Sequence, residues 1–188
     1  MGIRSKAKIF TDSSILTDLL IYARFGRIFM KTLILMRHAK AEKHDVSLND
    51  FNRHLLSKGV CDAKEAGQIL FKQKVIIDKL VTSPAMRAME TALIIRKKLG
   101  KKIKSWSIGQ GVYASDAEEL SKMIALTPRK INSLMLIGHN PGLDELVSLL
   151  SKHAYHLRTA AVVQFDFEVD EWAEIFKSKP IRIICLKG

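Results

Sequence analysis

Short apolar runs alternate along the chain with stretches in which apolar residues recur every three or four positions. The first pattern predicts strands and the second amphipathic helices. Strands are predicted over residues 32–36, 80–82, 134–137 and 181–186. Residues 162–169, Val162-Val-Gln-Phe-Asp-Phe-Glu-Val169, alternate with period two and predict a strand with one wet face. Helices are predicted over 57–72, 84–99, 117–125 and from 142 to about 152. In the first of these, Val60, Ala63, Ala66, Gly67, Leu70 and Phe71 share one face. Ser57 reads as its cap, Ser83-Pro84 opens the second helix, and Ser115 or Asp116 caps the third. Asn140-Pro141 opens the fourth. Strands interleaved with helices predict an α/β domain: a three-layer α/β/α sandwich on a mostly parallel central sheet.

Composition adds limits. The 188 residues suffice for one domain with a real core, and 47% hydrophobic against 27% charged fits a soluble folded chain. The net charge is +12, from 31 basic and 19 acidic residues. That excess suits anionic partners, whether phosphate groups, nucleic acid or a membrane surface, and does not choose among them. Part of it lies in Arg96-Lys-Lys-Leu-Gly-Lys-Lys-Ile-Lys104, expected to be a solvated loop. Cys61 and Cys185 have no metal-type spacing and fit a reducing, cytoplasmic setting. No apolar run approaches the roughly 20 residues that span a bilayer, so stable membrane insertion is not expected.

Residues 1–29 are expected to be an extension outside the core, with the domain over 30–188, because Met30 reads as a natural start. Asp18 interrupts the apolar patch at 15–21, which argues against a signal peptide. Lys6 stands where a myristoylation site needs Ser or Thr. A short amphipathic helix on the domain or a membrane is the other reading of this stretch.

The candidate chemistry sits where strands end, the place where open α/β sheets bind ligands. Three exits stand out: Arg37-His38-Ala39-Lys40, Thr82-Ser83-Pro84-Ala85-Met86-Arg87 and Gly138-His139-Asn140-Pro141-Gly142. Two deliver a histidine and two an arginine. Two run into helix N-termini, whose free N–H groups favour anions. Gly138 and Gly142 would let backbone approach a ligand closely. Each piece alone is ordinary; together they predict a pocket for a dianion.

These segments resemble the signature motifs of the histidine phosphatase superfamily. The stretches that carry the likeness are Arg37-His38, Ser83-Pro84-Ala-Met-Arg87-Ala88-Met-Glu-Thr91 and Gly138-His139-Asn140-Pro141. Met36-Arg37-His38-Ala39-Lys40 and Asp50-Phe-Asn-Arg53-His-Leu55 with Gly59 are similar to the short SixA-type phosphohistidine phosphatases. His54 stands where that branch has proline, and Glu90 where glutamine is common. The resemblance implies a phosphoglycerate mutase-like fold. It also implies that His38 is the nucleophile and forms a phosphohistidine. Arg37, Arg87 and His139 would then act on the transferred oxygens, with Arg53, Ser83, Gly138 and Asn140 binding substrate. It implies no cofactor and no metal.

A neutral imidazole is a good nucleophile near pH 7, and nearby arginines push its pKa below the usual 6.5 or so. No carboxylate is clearly placed as general acid. Glu90, Asp116 and Glu118 are candidates that read better as surface or capping residues. An imidazole leaves more easily than an alkoxide, which favours phosphohistidine in a protein over a small phosphomonoester. The short stretch between Leu99 and Leu134 predicts an open site that admits a protein-borne phosphate. His153 and His156, at spacing i, i+3, and His44 and His54 are read as structural or surface residues rather than metal ligands. The reading from a different class is a basic binding module on an inactive phosphatase fold. No nucleic-acid motif supports it, so no nucleic-acid partner is expected. Deleting residues 1–29 is expected to leave activity and melting temperature almost unchanged; a collapse of either would make the extension part of the domain.

Overall fold

The computed structural model describes residues 30–43 and 49–188. The expectations for residues 1–29 and for His44 lie outside the described residues. The strands are β1 (Met30–Arg37), β2 (Lys79–Thr82), β3 (Trp106–Ile108), β4 (Ser133–Gly138), β5 (Val162–Glu168) and β6 (Arg182–Lys187). The helices are α1 (Ser57–Lys72), α2 (Met86–Leu99), α3 (Ala117–Ala125) and α4 (Gly142–Ser151). One sheet runs β3-β2-β4-β1-β5-β6. Its first four strands are parallel, while β5 and β6 are each antiparallel to the preceding neighbour.

The apolar run of β1 explains its central place. Leu33, Ile34, Leu35 and Met36 are all fully buried. A strand that is apolar on both sides must be covered on both faces. Leu33 and Leu35 pack with Leu120 and Ile124 of α3 and with Leu143, Leu146 and Val147 of α4. Ile34 and Met36 pack on the other face with Ala63, Ala66 and Leu70 of α1 and Ala88, Ala92 and Ile95 of α2. Burying each large side chain contributes about 1.5–3 kcal/mol. The expected three-layer α/β/α sandwich is the observed fold.

The expected wet face of β5 is exposed at Glu168 and buried at Gln164 and Asp166. Gln164 and Asp166 point to it, yet Asp166 is almost wholly enclosed. Its carboxylate accepts from Thr32 Oγ1 at 2.7 Å, Gln164 Nε2 at 3.0 Å and Arg182 Nε at 2.6 Å. Thr32 and Arg182 face Asp166 directly across the sheet, so cross-strand pairing replaces water. The three-residue edge strand β3 carries too little pattern to be read from sequence.

Helix starts also differ from expectation. α2 begins at Met86, with Ala85 as its N-cap. Pro84 therefore lies ahead of the first turn, and Ser83 Oγ accepts from Ala85 N–H at 3.3 Å. Leu56, not Ser57, caps α1 without a side-chain bond. Asp116 caps α3 by accepting from Glu119 N–H at 2.9 Å. Pro141 is the N-cap of α4, and the Asn140–Pro141 peptide is cis. The basic segment at 96–104 is the end of α2 and a 3-10 turn rather than a free loop. Its side chains are partly anchored: Arg96 stacks over Trp106 at 4.0 Å and Lys102 over Phe71 at 4.7 Å. His153 and His156 follow α4 in non-helical chain, so they do not share a helix face. Among the described residues no helix is long and apolar enough to cross a membrane.

The segment after β1 is pinned where it meets α1. Leu56 N–H donates to Lys40 O at 3.0 Å, and Ala41 bridges Leu55. Gly59 permits this approach, because a Cβ there would stand 2.0 Å from Lys40 O. Gly59→Ala is expected to lower stability by about 1–3 kcal/mol, the usual cost of overpacking, measured by denaturant unfolding.

Candidate active site

Strand register builds the site. Arg37 lies opposite Gly138, and Thr82 opposite Ile137. The backbone bonds continue one step further: His38 N–H donates to Gly138 O at 3.0 Å, and Ser83 N–H to Ile137 O at 2.9 Å. So β1, β2 and β4 deliver His38, Ser83 and His139 to the same edge. The rings of His38 and His139 lie 5.0 Å apart. Arg87, in the first turn of α2, reaches back until its Nε is 3.3 Å from His38 Nε2.

His38 is oriented by its neighbour. Its Nδ1 stands 2.8 Å from Ala39 O. A carbonyl only accepts, so Nδ1 carries the proton and Nε2 holds the lone pair. Burial lowers the His38 pKa to about 4, with Arg87, Arg37 and Arg53 adding to the effect against the Ala39 bond. Burial first, then His38 and Arg87, bring His139 to about 3. Both rings are neutral at pH 7.

Each arginine is held by backbone. Arg37 Nη1 donates to Leu157 O at 2.9 Å, and Arg53 Nη1 to Glu42 O at 2.7 Å. Arg87 Nη1 donates to Asp50 O at 2.6 Å. Burial lowers Arg37 from its ordinary value, partly offset by Asp144. Among the described residues, three buried nitrogens have no protein partner: Arg37 Nε, Arg53 Nε and His139 Nδ1. Buried polar nitrogens are normally satisfied, so these lack the partner that such groups ordinarily have.

Other predicted residues take different parts. Ser83 is fully buried, and its Oγ lies 2.7 Å from His139 Nε2, so it meets the site through that ring. Asn140 Nδ2 donates to Leu157 O at 3.0 Å, tying the β4 exit to the carbonyl that holds Arg37. Gly138 and Gly142 serve packing between chain segments. A Cβ at Gly142 would stand 1.9 Å from Ser115 O, and one at Gly138 3.1 Å from Val112 Cγ1.

Sequence reasoning missed Asp50 and Tyr113. Asp50 pairs with Arg87 at 2.9 Å and with Arg53 at 2.7 Å, and accepts from Tyr113 Oη at 3.1 Å. Tyr113 sets its ring edge to His139 at 5.6 Å and to Phe51 at 5.3 Å. Asp50 sat within the Asp-x-x-Arg stretch and could have been found there. Tyr113 carried no sequence signal. His38 is only 7% exposed and Arg87 5%, with Asp50 bonded to Arg87 and Tyr113 to Asp50.

Residues 33–121 match the model of the histidine phosphatase superfamily (branch 1). An uncharacterized chloroplastic protein of Arabidopsis thaliana is 30% identical over 156 residues, covering 78% of this chain and 71% of that one. This chain belongs to the histidine phosphatase superfamily. A SixA-type protein of Nakamurella multipartita superposes with a TM-score of 0.70 at 20% identity, over 82% of this chain and 95% of that one. The protein histidine phosphatase SixA complexed with tungstate gives 0.66 at 22% identity, over 82% and 97%. These likenesses establish the phosphoglycerate mutase-like fold, and superfamily membership supports a phosphatase.

Among the described residues, the carboxylates considered as proton donors are engaged elsewhere. Glu90 accepts from Leu55 N–H at 2.7 Å and pairs with His54 at 2.6 Å. Asp116 caps α3, and Glu118 pairs with Lys122 on the surface. For Asp50, burial alone would raise the pKa. The hydrogen bond and charge of Arg87, the Tyr113 hydroxyl and Arg53 outweigh burial and hold it low, so it stays ionised. Among the described residues no group of His, Cys, Asp or Glu is arranged to hold a metal ion.

The pH dependence follows from His38. Its folded pKa is depressed, so the reactive neutral form persists well below pH 6.5 and is lost only near about 4. The acid limb of kcat/KM is expected near that value, with an acid-stable phosphomonoester and correction for its own ionisation near about 6. A limb at 6.5 would show that His38 is not buried as described.

Proposed function

We propose that this chain is a metal-independent phosphatase that removes phosphate from phosphohistidine in a protein. Its nucleophile is His38. The Nε2 lone pair attacks phosphorus in line while the P–N bond to the substrate imidazole breaks. Water then attacks the phosphorylated His38, the new P–O bond forms as the His38 N–P bond breaks, and inorganic phosphate leaves. Arg37, Arg87 and Arg53 hold the equatorial oxygens with planar forks that lysine could not match. His139 donates to the same oxygens.

One observation carries this reading. Three guanidiniums, two of them paired with the Asp50 carboxylate, surround two neutral imidazoles and leave a positive surplus beside His38 Nε2, whose lone pair faces Arg87 Nε. A phosphoryl group carries about two negative charges near neutral pH. The bound tungstate of the SixA relative, a tetrahedral oxyanion, is consistent with it. Among the described residues Glu90, Asp116 and Glu118 are engaged elsewhere, which favours imidazole as leaving group, since an alkoxide needs protonation. The enclosed nucleophile favours a second reading, a small phosphomonoester. Two free, exposed thiols suit a reducing compartment, and we place the protein in the cytoplasm.

His38→Ala is expected to abolish turnover and phosphate trapping on the enzyme, while EDTA leaves the rate unchanged. Near-normal activity in that variant would end the assignment. A phosphohistidine peptide is expected to outrun a panel of sugar phosphates and nucleotides; the reverse order would favour the small-substrate reading.

A further inference from the structure

Arg87 has all three of its nitrogens engaged. Nε faces His38 Nε2, Nη1 donates to the Asp50 carbonyl, and Nη2 to the Asp50 carboxylate. The other carboxylate oxygen of Asp50 takes Arg53 Nη2 at 2.7 Å. One residue thus fixes two guanidiniums from different segments, by main chain and side chain together. A third contact, from the Tyr113 hydroxyl, holds the carboxylate itself. The Asp50 side chain is 31% exposed, so it forms part of the site's rim as well as its frame.

Asp50 therefore acts in two ways that pull apart in experiment. Geometry comes first: it sets where Arg87 points relative to the nucleophile. Charge comes second: it cancels one of three guanidiniums that would otherwise meet a phosphate. A cluster with three uncompensated cations would bind the dianionic product more tightly than turnover allows, because product release can limit the rate.

We propose that Asp50 is a positioning residue that aligns Arg87 and Arg53 with His38 and, through its negative charge, speeds release of inorganic phosphate. The proposal rests on His38 as the nucleophile. Asp50 makes no contact with His38 among the described hydrogen bonds, so its effect travels through the arginines.

Two variants of the full chain separate geometry from charge. Asp50→Asn keeps the shape and removes the charge. Its kcat is expected to fall about three- to tenfold, because phosphate held more tightly leaves more slowly. Its inhibition constant for inorganic phosphate is expected to fall as well, meaning tighter binding, by about three- to tenfold. Asp50→Glu keeps the charge and displaces it. Its kcat should fall while phosphate inhibition stays at the wild-type value. Parallel weakening of turnover and phosphate binding in Asp50→Asn, tracking a lower melting temperature, would reduce Asp50 to a structural prop and overturn the proposal. Unchanged kcat in Asp50→Asn, or tighter phosphate binding in Asp50→Glu, would overturn it too. Labelling of His38 in the wild-type chain is measured alongside. Its absence would remove the nucleophile assignment itself, whereas its presence with unchanged phosphate inhibition in Asp50→Asn would remove only the role given to Asp50.

Discussion

The parallel register of β2, β4 and β1 is the constraint on which the site depends. Three strands end level with one another, and each is followed at once by a polar residue of the site. The backbone bonds from His38 to Gly138 and from Ser83 to Ile137 carry the ladder into the loops. Side chains that belong to positions 38, 83 and 139 therefore meet within a few ångströms. A slip of one residue in β1 would turn His38 to the opposite face of the sheet. The fully buried run Leu33 to Met36 prevents that slip, since each side chain has a helix layer waiting for it.

Bringing three guanidiniums together is electrostatically costly, and the structure shows where the cost is offset. Carbonyls of Leu157, Glu42 and Asp50 each accept from one arginine. The Asp50 carboxylate adds one full negative charge shared by two of them. The remaining positive potential falls on two imidazoles that burial has already made reluctant to protonate. An oxyanion entering the cluster relieves the repulsion among the cations. Burial first, and the same cations after it, keep His38 unprotonated.

Two loops are anchored around this centre. The segment after β1 returns over it, anchored by Lys40 O and by Glu90, which accepts from Leu55 N–H. The segment before β5 is anchored by Asp144, whose carboxylate accepts from Leu157 N–H at 2.7 Å. Leu157 in turn offers its carbonyl to Arg37 and Asn140. Residues with no chemistry of their own thus determine how far each functional group can stray, which is how a site stays ordered to a fraction of an ångström.

Much of this was legible in the chain itself. Apolar runs and their periodicity determined the layers, because burial of Leu33 to Met36 or of Ala63, Ala66 and Leu70 depends only on local spacing. His38, Arg87 and His139 announced themselves by standing at strand exits or helix starts. What tertiary structure alone decided were relations between distant positions. Asp50 and Tyr113 lie 63 residues apart and gain meaning only when they meet. The wet-looking side of β5 became buried at Asp166 because Thr32 and Arg182 arrive opposite it. Gly138 and Gly142 also admit the close approach of Val112 and Ser115, which no local pattern announces. Periodicity records which way a side chain faces, but the identity of its neighbour is set by long-range packing, and that is where the charge balance of the site was determined.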